Sequence, residues 1–112
     1  MIYAVDFDGT LCEDRFPEIG REIPGRIEYL KNLQRQGHKL ILWTCRLDDH
    51  LGAHLTNAVE WCKARGLYFD AVNENLKEMQ EKWGGDTRKV FCDFYIDDKN
   101  LLPIALDYGK VP

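Results

Sequence analysis

Met1-Ile2-Tyr3-Ala4-Val5-Asp6-Phe7-Asp8-Gly9-Thr10 opens the chain, and its reading decides the fold. Ile2 to Val5 is a short apolar run that stops on an acid. An apolar run of this length, bounded by polar residues, reads as a strand buried on both faces. Two carboxylates then stand two residues apart, and Gly9 lets the chain turn away from the strand. A strand that ends in acids at the start of a chain asks what the later strands deliver beside it.

Outward from this stretch, residues 7 to 22 mix Gly, Pro and charges and read as a loop or flap. Pro24 suits the first turn of a helix, and Ile23, Ile27, Leu30 and Leu33 recur at helical spacing until Gly37. Lys39 to Thr44 is a second strand. Asp48 and Asp49 are read as N-terminal residues of the next helix, with Leu51, Leu55, Ala58, Val59 and Cys62 as its buried stripe and Gly66 after its end. Tyr68 to Val72 is a third, weaker strand. Leu76, Met79 and Trp83 mark a short helix closed by Gly84-Gly85. Lys89 to Asp97 is apolar and aromatic again, with Phe94-Tyr95-Ile96 as its strand. The tail from Leu101 receives no assignment.

Strand and helix thus alternate through four strands and three helices. That order predicts an α/β fold, a single doubly wound parallel sheet with right-handed crossovers. The chain of 112 residues has room for one domain. A net charge of −4 disfavours a nucleic-acid partner held by the overall field. No apolar run reaches the roughly 20 residues needed to span a bilayer, so no membrane partner is expected. Cys12, Cys45, Cys62 and Cys92 form no C-x-x-C pair, which points to reduced thiols in a cytoplasmic protein.

In a parallel sheet the carboxyl ends of all strands share one edge, where ligands bind. Strand one delivers Asp6 and Asp8 there, strand two Thr44 with Arg46 just beyond, and the last strand Asp97 and Asp98. This set resembles the haloacid dehalogenase (HAD) superfamily on its phosphatase side. D-x-D-x-T is met by Asp6, Asp8 and Thr10, the second motif by Thr44, and the acidic pair by Asp97-Asp98. The motifs run through nearly the whole chain.

The resemblance implies a Mg2+-dependent phosphohydrolase with a Rossmann-like core. Phosphoryl transfer needs an in-line nucleophile, a cation to offset oxygen charge, and donors around the phosphoryl oxygens. Asp6 would be the nucleophile, forming an aspartyl-phosphate, and Asp8 the general acid–base. Asp6, Asp97 and the backbone carbonyl of Asp8 would hold the metal, with Asp98 binding a metal-bound water or positioning Asp97. Thr44 and the loop amides around Gly9 and Thr10 would bind phosphoryl oxygens. Arg46 is read as a substrate contact, with a surface charge as the alternative. The third-motif cation is assigned to Lys89, at a spacing before Asp97 similar to the deoxyribonucleotidase branch, with Arg88, Lys82 and Lys77 as rivals.

Other residues take plainer readings. Asp93 is expected to serve as a structural hydrogen-bonding residue. His50 and His54, four apart on a helix face, lack the further ligands of a zinc site. Cys12 and Cys45 are read as packing residues near the pocket. Neither gap between motifs holds a cap domain, so the protein resembles the capless subset. Specificity would come from the flap, where Glu13, Asp14, Arg15 and Phe16 are candidates, from a second subunit in a homo-oligomer, or from the phosphorylated substrate. The alternative is a catalytically silent binding or regulatory module on the same fold. A phospho-receiver domain fits less well, because its phosphoacceptor is expected on a central strand after an earlier acidic pair.

Overall fold

The computed structural model describes residues 1–100; the tail that the sequence left unassigned lies outside them. In chain order the elements are β1 (Ile2–Val5), β2 (Cys12–Arg15), β3 (Glu18–Glu22), α1 (Arg26–Arg35), β4 (Lys39–Leu42), β5 (Asp48–Asp49), β6 (Gly52–Ala53), α2 (His54–Lys63), β7 (Ala71–Val72), α3 (Lys77–Trp83) and β8 (Phe94–Ile96). The main sheet has four parallel strands in the order β7-β4-β1-β8. Its central strands β1 and β4 carry the aliphatic runs, as burial on both faces requires.

Side chains alternate between two cores with the strand period of two. Val5, Leu40, Leu42 and Ile96 point to one face, where they meet Ile27, Leu30 and Leu33 of α1 and Ala58 and Cys62 of α2. Ala4, Ile41 and Ala71 point to the other, where Leu76, Val90 and Met79 cover them. The sheet is therefore covered on both sides. The chain steps from β1 to β4 to β7 in one direction, then returns across β1 to add β8. The reversal places a topological switch point between β1 and β8, the position where open α/β sheets form ligand crevices. Asp6 follows β1 and Asp97 follows β8, and the Asp6 amide donates to the Ile96 carbonyl at 2.9 Å.

The connections differ from the sequence reading in three places. The stretch read as a loop contains an antiparallel hairpin, β2–β3, with a register irregularity between Cys12 and Asp14. A Cβ at Gly20 would stand 2.1 Å from the Glu13 carbonyl, so this close crossing needs glycine. Its strands escape sequence reading because both faces are largely polar, which removes the apolar alternation. Second, Asp48 and Asp49 do not open α2 but form β5, paired with β6 in a small hairpin. Asp48 nonetheless serves the helix end, accepting from the Thr56 amide at 2.9 Å and from its hydroxyl. Third, Leu51 leaves the predicted stripe and lies in the turn of this hairpin, 75% exposed. No helix among the described residues is long and apolar enough to cross a membrane.

Candidate functional site at the carboxyl edge of the sheet

Asp6 leaves the end of β1 half-buried. Its Oδ2 accepts the Thr10 hydroxyl at 2.9 Å. Thr10 is fully buried and its hydroxyl also accepts the Asp98 amide at 3.1 Å. One side chain thus ties the ends of β1 and β8 together. Asp6, Asp97 and Asp98 each offer a carboxylate oxygen within 4.8 Å of the others, a group able to hold a cation. Burial pushes the Asp6 carboxyl up to about 7, and the nearby Asp97 charge and Asp98 carboxyl add to the rise against the lowering effect of Thr10. Asp98 Oδ1 is buried with no hydrogen-bond partner among the described residues. Carboxylates crowded in this way need a proton or a cation, and an orphaned buried oxygen is rare enough to require an explanation.

Gly9 sets the distance of the loop from this cluster. Its φ is +84°, and a Cβ there would meet Asp98 Oδ2 at 2.2 Å. Gly9 and Thr10 were expected to bind substrate, and the structure gives them other work. The Gly9 amide donates to the Cys12 carbonyl at 2.8 Å and the Thr10 amide to the Phe7 carbonyl at 3.1 Å, so both are engaged within the loop. With its hydroxyl also buried, Thr10 positions Asp6 and Asp98 rather than touching a ligand.

Asp8 stands two residues on, in an opposite environment. Arg46 grips it with two parallel bonds, Nε to Oδ2 and Nη2 to Oδ1, both 2.8 Å. Arg46 is 2% exposed. Its remaining N–H groups donate to the carbonyls of Glu18 at 2.9 Å and of Pro17 and His54 at 3.3 Å. A guanidinium has five N–H donors, and all are engaged within the protein. The expectation that Arg46 binds substrate is therefore corrected: in this arrangement it joins Asp8 to the β2–β3 turn and to the start of α2. The Asp8 carboxylate stands outside the carboxylate cluster, which leaves its backbone carbonyl as its route to a metal.

Thr44 is reached from β4. Its hydroxyl accepts the Arg46 amide at 3.2 Å, which leaves its own proton available to the cavity it lines. Its amide donates to Asn73 Oδ1 at 2.8 Å, and Asn73 Nδ2 donates to the Arg46 carbonyl at 3.2 Å. Asn73 follows β7 with a φ of +52°, a conformation asparagine tolerates better than most residues. The sequence reading missed it. The available signal was a polar amide placed directly after the third strand, where the other three strands also deliver polar side chains.

The cavity here is about 440 Å³, lined by Asp6, Asp8, Thr44, Asp97, Lys99 and the flap residues Asp14 and Phe16, among others. Glu13 instead pairs with Arg15 at 3.4 Å and Arg21 at 3.3 Å on the outer side of the hairpin. Lys89 is not brought here. The segment before β8 runs beneath the sheet, where Val90 is buried, and Lys89 lines a separate cavity with Trp83, Phe91 and Tyr95. Its rivals Arg88, Lys82 and Lys77 are exposed and do not line the cavity beside Asp6. Lys99, two residues after Asp97, is a lysine that does line the cavity beside Asp6.

The remaining readings have definite outcomes. Asp93 accepts the Ile2 amide at 2.7 Å while its own amide donates to the Ile2 carbonyl at 2.7 Å, a structural role as expected. His50 lies in the β5–β6 turn and His54 opens α2, so they share no helix face. Cys12 and Cys62 are fully buried, and burial pushes their thiols up to about 11 and about 12, which makes them packing groups rather than nucleophiles. Cys45 is exposed and lines the cavity.

No protein-family model matches the chain, and no curated protein does. Among solved structures, one described as the conserved protein coded by a locus from Bacteroides thetaiotaomicron is similar at 47% sequence identity. The similarity covers 97% of this chain and 84% of that one, with a TM-score of 0.81.

Proposed function

The chain belongs to the same family as the conserved Bacteroides thetaiotaomicron protein, and we propose that it is a magnesium-dependent phosphohydrolase of the HAD type, acting on phosphomonoesters through Asp6. One observation carries the reading: Asp6, Asp97 and Asp98 converge at the switch point of the sheet, with an unpartnered buried oxygen on Asp98.

The donor set fits magnesium, which takes hard oxygen ligands and keeps several waters. Asp6, Asp97 and the Asp8 carbonyl would hold the ion, with Asp98 beside them. When bound, it offsets the repulsion between the Asp6 carboxylate and an anionic phosphate. The rest is the work of the chain's own residues. The Asp6 carboxylate attacks phosphorus, an O–P bond forms, and the bond from phosphorus to the leaving oxygen breaks. Asp8 gives that oxygen a proton. A water then attacks the aspartyl-phosphate, Asp8 takes its proton, and phosphate departs as Asp6 is restored.

Arg46 holds Asp8 in one orientation for this proton transfer. Thr44 and Lys99 lie in the cavity where phosphoryl oxygens would rest, as a hydroxyl donor and a cation.

The test is turnover of a phosphomonoester panel with and without Mg2+, with purified Asp6→Asn as control. Magnesium-dependent hydrolysis by wild type and none by Asp6→Asn is the expected result. Equal turnover by the two proteins removes Asp6 as nucleophile, and full turnover after chelation removes the metal.

A further inference from the structure

Beside the carboxylate cavity lies a second cavity of about 420 Å³, between the turns of the two small hairpins. Phe16 and Pro17 form one wall, and Leu47, Leu51 and His54 the other. Phe16 and Cys45 line both cavities, so the two adjoin. Phe16, Leu47 and Leu51 are 55%, 54% and 75% exposed. Scattered surface hydrophobes need no explanation, but three gathered around one concavity that adjoins a polar site do.

The shelf is also held in place. The Phe16 ring centroid lies 5.1 Å from the Arg46 guanidinium carbon and 5.2 Å from the His54 ring centroid. Arg46 is itself fixed by its five bonds. The aromatic wall is thus set by the same residue that orients Asp8. A phosphoryl group over Asp6 would have its leaving group directed toward Asp8, and Arg46 links Asp8 to this wall.

We infer that this shelf receives the leaving group of the substrate, and that the substrate is the monophosphate ester of an uncharged, apolar alcohol, aromatic ones included. The inference rests on the proposed hydrolysis at Asp6. Charge narrows the class. Asp14 lines the first cavity and Asp49 the second, while of the cations lining the first cavity Lys99 is assigned to the phosphoryl group and Arg46 is engaged by Asp8 and backbone carbonyls. A leaving group with a second phosphate or a carboxylate would meet like charge there. The shelf also gives a site without a cap a means to select its substrate.

Benzyl and ethyl phosphate test this, because both leave as primary alcohols and differ chiefly in apolar bulk. Wild type is expected to favour benzyl phosphate by about tenfold in kcat/KM. The double variant Leu47→Ser, Leu51→Ser alters only exposed side chains, and is expected to bring the ratio near one. No preference in wild type, or a preference that survives in the variant, overturns the inference. If wild type hydrolyses neither ester, calorimetry with benzylphosphonate and ethylphosphonate decides. Tighter binding of the benzyl compound by wild type alone upholds the shelf and leaves only the hydrolase reading refuted. Equal affinities overturn the shelf as well.

Discussion

Asp6 and Asp8 are separated by one residue and live in opposite surroundings. Asp6 is gathered with two other carboxylates, has one hydroxyl donor, and is pushed up to about 7 chiefly by burial. Asp8 is gripped at both oxygens by a buried arginine. A strand period of two would point both the same way, so the contrast does not come from alternation. Phe7 between them is fully buried, and the loop turns immediately after Asp8 at Gly9. The contrast comes from distant chain: β8 brings the acids to Asp6, and the segment after β4 brings the cation to Asp8. One motif thus contains an uncompensated carboxylate suited to meet a cation, and a compensated one suited to hold a fixed orientation.

Substitution tests the two halves of that contrast. Asp6→Asn is expected to lower kcat on a phosphomonoester by on the order of 10⁴-fold or more, as loss of a nucleophile does. Asp8→Asn should cost about 10²- to 10⁴-fold, the range for a general acid–base. Steady-state kinetics at saturating Mg2+ would measure both. A larger loss from Asp8→Asn than from Asp6→Asn reverses the assigned roles.

Arg46 governs stability more than any other polar residue of the site. Arg46→Met leaves Asp8 without its partner and the carbonyls of Pro17, Glu18 and His54 without their donor. Breaking a partly buried pair from one side costs about 3–5 kcal/mol. Urea unfolding should show that loss, and restoration by Asp8→Asn in the double variant would localise it. A change below about 1 kcal/mol would contradict the strut assigned to Arg46.

Metal should act on the Asp6 side alone. Mg2+ at a hundredfold excess over its dissociation constant stabilises a binding protein by about 2.7 kcal/mol. Thermal melts of wild type should rise with Mg2+, and those of Asp6→Asn and Asp97→Asn should not. An equal rise in all three would place the ion elsewhere.

The smallest effect concerns pH. In the metal-free protein, the Asp6 proton is held more tightly when folded, at about 7 against 3.8 for the ordinary group. Stability is then greatest below about pH 4 as far as this group is concerned, falls as pH rises through about 7, and is flat above. Allowing for solvent screening at a part-exposed carboxyl, the fall is about 1 kcal/mol, or about 4–8 °C in Tm. Asp6→Asn should lack this fall and melt higher than wild type at pH 8. Parallel melting curves across the range would contradict the uncompensated state of Asp6.

β1, β4 and α1 were legible because their apolar pattern is strong: Ile2 to Val5, the Leu40-Ile41-Leu42 run, and Ile27, Leu30 and Leu33, whereas β7 and α3 carry weaker patterns. The convergence of Asp6, Asp8, Thr44, Asp97 and Asp98 on one edge followed from the parallel topology. The two hairpins were not legible, because Cys12 to Glu22 and Asp48 to Ala53 expose polar groups on both sides. The environment of Arg46 was not legible either. Its partners include three backbone carbonyls, which carry no residue signature. Lys89 was chosen over Arg88, Lys82 and Lys77 because its spacing resembled a known branch, and Lys99 was not considered, because the position of a lysine relative to the sheet edge depends on how the chain runs through β8.

The central claim is that Asp6 is phosphorylated during turnover. The most direct measurement is acid quenching of the Mg2+-supplied protein while it hydrolyses a phosphomonoester, followed by peptide mass spectrometry. A phosphate adduct on Asp6, absent from Asp6→Asn, is the predicted result. Turnover with no adduct on Asp6, or with the adduct on another residue, would contradict the account.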